Sequence, residues 1–75
     1  MTDVEIRIEG IQRLLIHSSD YVRVYYSMPE SPDTITACQL PIEAFDQSLQ
    51  VGERAIATML LRTVMEIRTA PEIAD

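Results

Sequence analysis

Lysine and tryptophan are absent from this chain, cysteine and phenylalanine occur once each, and glycine occurs twice in 75 residues. Each scarcity removes a class of function. The six basic residues are all arginine, scattered among twelve acidic ones, for a formal net charge of −6. Phosphate backbones and anionic membranes attract proteins through clustered Lys and Arg, so neither nucleic acid nor a membrane surface is expected as a partner. Two distant glycines, Gly10 and Gly52, cannot build a phosphate-cradling loop. The single cysteine, Cys38, excludes an internal disulfide and fits a reducing compartment. His17 has neither a second histidine nor a neighbouring cysteine with which to hold a metal. Uninterrupted apolar runs such as Leu14-Leu15-Ile16 and Met59-Leu60-Leu61 are far shorter than the roughly 20 residues of a membrane helix. The acidic opening Met1-Thr2-Asp3-Val4-Glu5 is unlike a signal peptide, which makes the cytoplasm the expected compartment.

The length allows one domain, with an ordered core expected over about 4–68 and a tail over 69–75. A domain this small buries only about 60% of its unfolded surface, and association is the usual remedy for the thin margin. Val4, Ile6 and Ile8 alternate with Glu5, Arg7 and Glu9, the period of a half-buried strand. Gly10 marks a bulge or bend, after which the even apolar positions resume at Leu14 and Ile16. His17-Ser18-Ser19-Asp20 reads as a turn. In the strand Tyr21–Met28, Val22, Val24 and Tyr26 point one way, and Tyr21, Arg23 and Tyr25 the other. Pro29-Glu30-Ser31-Pro32-Asp33 reads as a loop, and Thr34–Leu40 as a third strand. Pro41 suits the first turn of a short helix whose apolar face is Ile42, Phe45 and Leu49, with Gly52 ending it or forming the next turn.

Glu53–Arg68 admits two readings. Arg54, Thr58, Arg62 and Glu66 recur every four residues among good helix formers, the pattern of an amphipathic helix stopped before Pro71. The competing reading is two strands, Arg54–Leu60 and Val64–Arg68, hinged at Leu61-Arg62-Thr63. Local pattern alone favours the helix slightly.

No catalytic constellation emerges, and no enzymatic activity is expected. His17, Ser18, Ser19 and Asp20 are the residue types of a hydrolase triad, but neighbours in one turn cannot orient one another as such triads require. A solvated turn accounts for them. Cys38 reads as a small buried hydrophobe with no Lys or helix terminus to activate it. Glu43, Asp46 and Glu53 are dispersed, as on a solvated face.

From Gly10 onward the chain resembles the TOBE domains and the related molybdenum-pterin-binding (Mop) small domains. The likeness rests on Ile35-Thr36-Ala37, on Leu49-Gln50-Val51-Gly52-Glu53, on Ala55, Ala57 and Met59 as alternate strand positions, and on Thr63-Val64-Met65 as the entry to a last strand. Gly10-Ile11 and Val22-Arg23-Val24 match the opening hairpin. The resemblance implies a mainly β fold, a five-stranded OB-type barrel with one short helix between strands 3 and 4. It therefore selects the two-strand reading of Glu53–Arg68. It also implies a binding or regulatory module without cofactor, acting through self-association as a homo-oligomer or through an ABC-transporter or regulatory protein.

A small molybdate- or sulfate-like oxyanion is the alternative ligand that the family implies. Where Mop proteins carry a Ser-Arg-Asn-type anion segment, this chain has Asp3 to Glu9, whose carboxylates repel anions. Arg7 and Arg13, with backbone N–H groups, are then the candidate anion donors. Barrels of this type present aromatics on their second and third strands, which makes Tyr21, Arg23 and Tyr25 the candidate contact patch. A third alternative keeps the C-terminal helix and gives an acidic β-β-β-α interaction protein.

Overall fold

Alternating apolar and charged residues build the sheet that the computed structural model describes over residues 1–71. Five antiparallel strands follow one another: β1 (Thr2–Ile16), β2 (Ser19–Met28), β3 (Ser31–Pro41), β4 (Arg54–Leu60) and β5 (Thr63–Thr69). They form one sheet in the order β3-β2-β1-β4-β5. The mainly β expectation holds. No ladder joins the edge strands β3 and β5, so the sheet is open. β1 starts two residues before the expected core, and β5 runs to Thr69, which the tail was expected to include. Of the rest of that tail, Ala70 and Pro71 are in no strand or helix, and 72–75 lie outside the described residues.

β1 serves two sides of the sheet. Its first half, Thr2–Arg7, pairs with β4, and Arg7–Ile16 pairs with β2. The register shifts between Ile8 and Gly10, leaving Glu9 as the extra residue of a bulge. Ser27, buried among the strands, donates its hydroxyl to Glu9 Oε2 at 2.6 Å and pins that bulge. The Gly10 bend is thus present, with a consequence the even-position count misses. Ile6 and Ile8 face the core before the bulge, whereas Leu14 pairs with Tyr21 on the outer face beyond it. One extra residue exchanges the two faces of a strand.

The turns are shorter than expected. His17 and Ser18, both at positive φ (49° and 66°), form the two-residue connection that matches the twist of a hairpin, while Ser19 and Asp20 already belong to β2. Pro29 and Glu30 alone join β2 to β3. Pro32 and Asp33 lie in edge strand β3, beside a register irregularity between Tyr26 and Met28. A proline, a charge and an irregularity on an edge discourage stray strand pairing.

Glu53–Arg68 is two strands, and the β-β-β-α alternative falls with its helix. A spacing of four is also two periods of a strand, so Thr58 and Glu66 simply stand opposite each other on a polar face. A second bulge, at Met65, puts both Val64 and Ile67 into the core at a spacing that imitates a helix. The helix expected after Pro41 is also corrected: only a 3-10 turn, Ile42–Ala44, forms there. Asp46 N–H donates to Ile67 O at 3.0 Å rather than back into a helical turn. Its side chain instead accepts from Ser48 N–H (2.9 Å) and Ser48 Oγ (2.7 Å), a local arrangement that competes with helix. Gly52 forms the following turn at φ 95°, a conformation L side chains resist, and donates its N–H to Ile8 O at 2.8 Å.

The core draws on every strand: Ile6 and Ile8, Val22, Val24 and Tyr26, Leu40, Ala55 and Ala57, Val64 and Ile67. Phe45 and Leu49 enter it from the segment between β3 and β4. Phe45 makes a parallel bridge to Ile67, so this segment covers the edge of β5 on the open side of the sheet.

Asp46 ties the segment down. Besides Ser48, it accepts from Thr69 Oγ1 at 2.6 Å. These hydrogen bonds, that from Thr69 foremost, hold its carboxyl down at about 2. A depressed folded-state pKa stabilises above the unfolded value and loses that stabilisation as pH falls through the folded one. The stability advantage of the native chain over Asp46→Asn is therefore expected to be full at pH 7 and to shrink from about pH 4 toward pH 2. Urea midpoints of the two proteins at pH 7, 4 and 2 measure it. A constant difference would show that ionisation of Asp46 is not what anchors the loop.

Candidate functional site

The outer face of β2 carries the row anticipated from its alternation. Tyr21, Arg23 and Tyr25 are each half-buried on that face, while Val22, Val24 and Tyr26 fill the core behind them. Their cross-strand neighbours extend the patch. Tyr21 stands between Leu14 and Pro41, Arg23 between Gln12 and Gln39, and Tyr25 between Gly10 and Ala37. Arg23 Nη2 donates to Gln39 Oε1 at 3.4 Å, which orients the guanidinium along the sheet. Tyr25 lies so close to Gly10 that a Cβ there would stand 3.1 Å from the ring's Cδ2. The missing Cβ at Gly10 is what lets the ring pack this closely against β1. No carboxylate belongs to this row, although acidic residues outnumber basic ones two to one across the chain.

The structure separates the two candidate anion donors. Arg7 lines a cleft of about 270 Å³ with Glu5, Ile6, Ser27, Met28, Pro29, Pro32 and Arg54. Arg13 lines another, of about 250 Å³, with Asp20, Tyr21, Ile42 and Gln47, and its Nη1 lies 3.4 Å from Gln47 Oε1. Each cleft includes one carboxylate, Glu5 or Asp20. Arg54, invisible as a site residue in the sequence, is the direct cross-strand partner of Arg7 in the β1–β4 ladder. That proximity depends on pairing across the sheet.

Among the described residues, no hydrogen bond links His17, Ser18, Ser19 and Asp20 as a relay. Cys38 stands opposite Val24, and burial pushes its thiol up to about 11, so it carries its proton at neutral pH. The described residues contain no cluster of three or more His, Cys, Asp or Glu able to hold a metal ion, and no helix long and apolar enough to cross a membrane. Asp3, Thr58 and Arg68 form a polar ladder across β1, β4 and β5. Arg68 Nη2 reaches Asp3 Oδ2 at 2.8 Å, and Thr58 Oγ1 reaches Asp3 Oδ1 at 2.8 Å. Hydrogen bonds from Arg68 and then Thr58 hold the Asp3 carboxyl below its ordinary value. Exposed pairs of this kind steady a surface more than they stabilise a fold.

No protein-family model, no curated protein and no solved structure matches the chain.

Proposed function

We propose that this chain is a non-catalytic contact module of TOBE type, working in the cytoplasm, that associates with itself through the outer face of β1, β2 and β3. The row Tyr21, Arg23 and Tyr25, widened by Leu14, Ala37 and Pro41 through strand pairing, carries this reading. Tyrosine and arginine are the side chains that most often dominate protein contacts, because they offer large area and directional hydrogen bonds at modest entropic cost. A second copy suits the patch because its row and cross-strand neighbours hold no carboxylate, Asp20 standing only in the cleft beside Tyr21, in a chain whose formal charge of −6 otherwise makes copies repel. The small core gives association a stabilising role as well. The strand order, with β1 shared between both halves, supports an OB-type barrel open between β3 and β5. A transporter or regulatory protein that displaces one copy from the same face is the further partner the family resemblance supplies.

Sedimentation across a concentration series tests the reading. The wild-type chain is expected to associate reversibly, and Tyr21→Ala with Tyr25→Ala to weaken that association at least about tenfold, as loss of two aromatic anchors does. An unchanged sedimentation profile in the double variant, with the fold intact by circular dichroism, would remove the face from consideration.

A further inference from the structure

Arg7 and Arg54 are direct cross-strand partners, two cations placed opposite each other in a chain with twelve acidic residues to choose from. Like charges in that position destabilise a sheet. Only one of the two has an ion-pair partner among the described residues: Arg54 Nε lies 4.0 Å from Glu5 Oε2, at the limit of an ion pair and between exposed side chains. Arg7 and Arg54 both line the same cleft of about 270 Å³, where Met28, Pro29 and Pro32 supply an apolar side and Glu5 and Ser27 polar groups. Ser27, also in the wall, already spends its hydroxyl on Glu9. Met28 and Pro29 follow Ser27, the cross-strand partner of Arg7, and Pro32 lies at the start of β3.

From this juxtaposition we infer that the Arg7–Arg54 cleft binds a small organic monocarboxylate with an apolar body. The carboxylate bridges the two guanidiniums and turns their repulsion into charge-assisted hydrogen bonds, for which the planar fork of arginine is suited. The body of the ligand covers Met28, Pro29 and Pro32. A cleft of about 270 Å³ lies just below the usual range of ligand sites and fits a short chain or single ring, not a nucleotide. A bare inorganic oxyanion satisfies the guanidiniums and leaves the apolar wall in water. A neutral alcohol does the reverse. Recognition requires both halves in one molecule. Glu5 competes for Arg54, which keeps the affinity moderate and sets a preference for monoanions over dianions.

Octanoate, octanol, acetate and molybdate, titrated separately into the full-length ¹⁵N-labelled chain, provide the test. Octanoate is expected to shift amides of Arg7, Met28, Glu30 and Arg54 saturably, with acetate, octanol and molybdate each at least about tenfold weaker. Arg7→Gln and Arg54→Gln, both at exposed positions, are each expected to weaken octanoate at least about tenfold while leaving the rest of the spectrum in place. Equal affinity for molybdate and octanoate would overturn the organic carboxylate in favour of an oxyanion site. Octanoate affinity unchanged in both arginine variants, shifts confined to other residues, or no saturable binding at all would overturn the site.

Discussion

Replacing Phe45 by alanine is expected to cost about 3–5 kcal/mol, the usual range for removing a buried phenylalanine. Phe45 is the only phenylalanine and is 5% exposed. It enters the core from a segment with almost no regular structure, where a 3-10 turn and one parallel bridge to Ile67 are its main backbone supports. That segment covers the open side of the sheet, so truncation opens a cavity beside β5. Domains are stable by roughly 0.05–0.15 kcal/mol per residue, about 4–11 kcal/mol for this length, and the loss is therefore a large share of the whole. Urea unfolding at neutral pH reads it as a lower midpoint. A loss below about 1 kcal/mol would mean the segment packs loosely and the core closes without it.

Gly10→Val carries the second large effect, with a sign that separates two mechanisms. Valine favours strands, and if the site were open the substitution would stabilise β1. The added Cβ alone stands 3.1 Å from Tyr25 Cδ2, however, and the methyl groups demand more room still. Either the ring lifts from the sheet or the bulge at Glu9 relaxes. The expected cost is about 1–3 kcal/mol, as for other overpacked sites. Because the strain is lodged in one contact, Gly10→Val should be tolerated better in a Tyr25→Ala background, with a coupling of about 1 kcal/mol in a double-mutant cycle. Additive losses would place the cost in the bulge rather than in the ring. The same variant is expected to weaken self-association, since a displaced Tyr25 no longer holds its place in the row.

The strands were legible because side-chain alternation is a local property. Val22, Val24 and Tyr26 against Tyr21, Arg23 and Tyr25 could be divided between core and surface without knowing any neighbour. The bulges were legible only in part. Gly10 announces a bend, but nothing in the local pattern reveals that Glu9 is the supernumerary residue and that Leu14 thereby changes face. The four-residue recurrence of Arg54, Thr58, Arg62 and Glu66 gave two strands the likeness of a helix, and the bulge at Met65, which brings Val64 and Ile67 together into the core, left no local signal. Ile42, Phe45 and Leu49 misled for a related reason. An irregular segment that must fill one gap also spaces its apolar residues unevenly, while Asp46 diverts the local hydrogen bonds to Ser48 and Thr69. The cleft lay furthest from view, since Arg7 and Arg54 are 47 positions apart and meet only through the β1–β4 register.

Native mass spectrometry of the purified chain, with and without added molybdate, is the most direct examination of the contact-module reading. Expected are assemblies of whole multiples of the 8.5 kDa chain, unchanged in number by the anion and diminished by Tyr21→Ala with Tyr25→Ala. A chain that stays at 8.5 kDa at every concentration would contradict association through the tyrosine face.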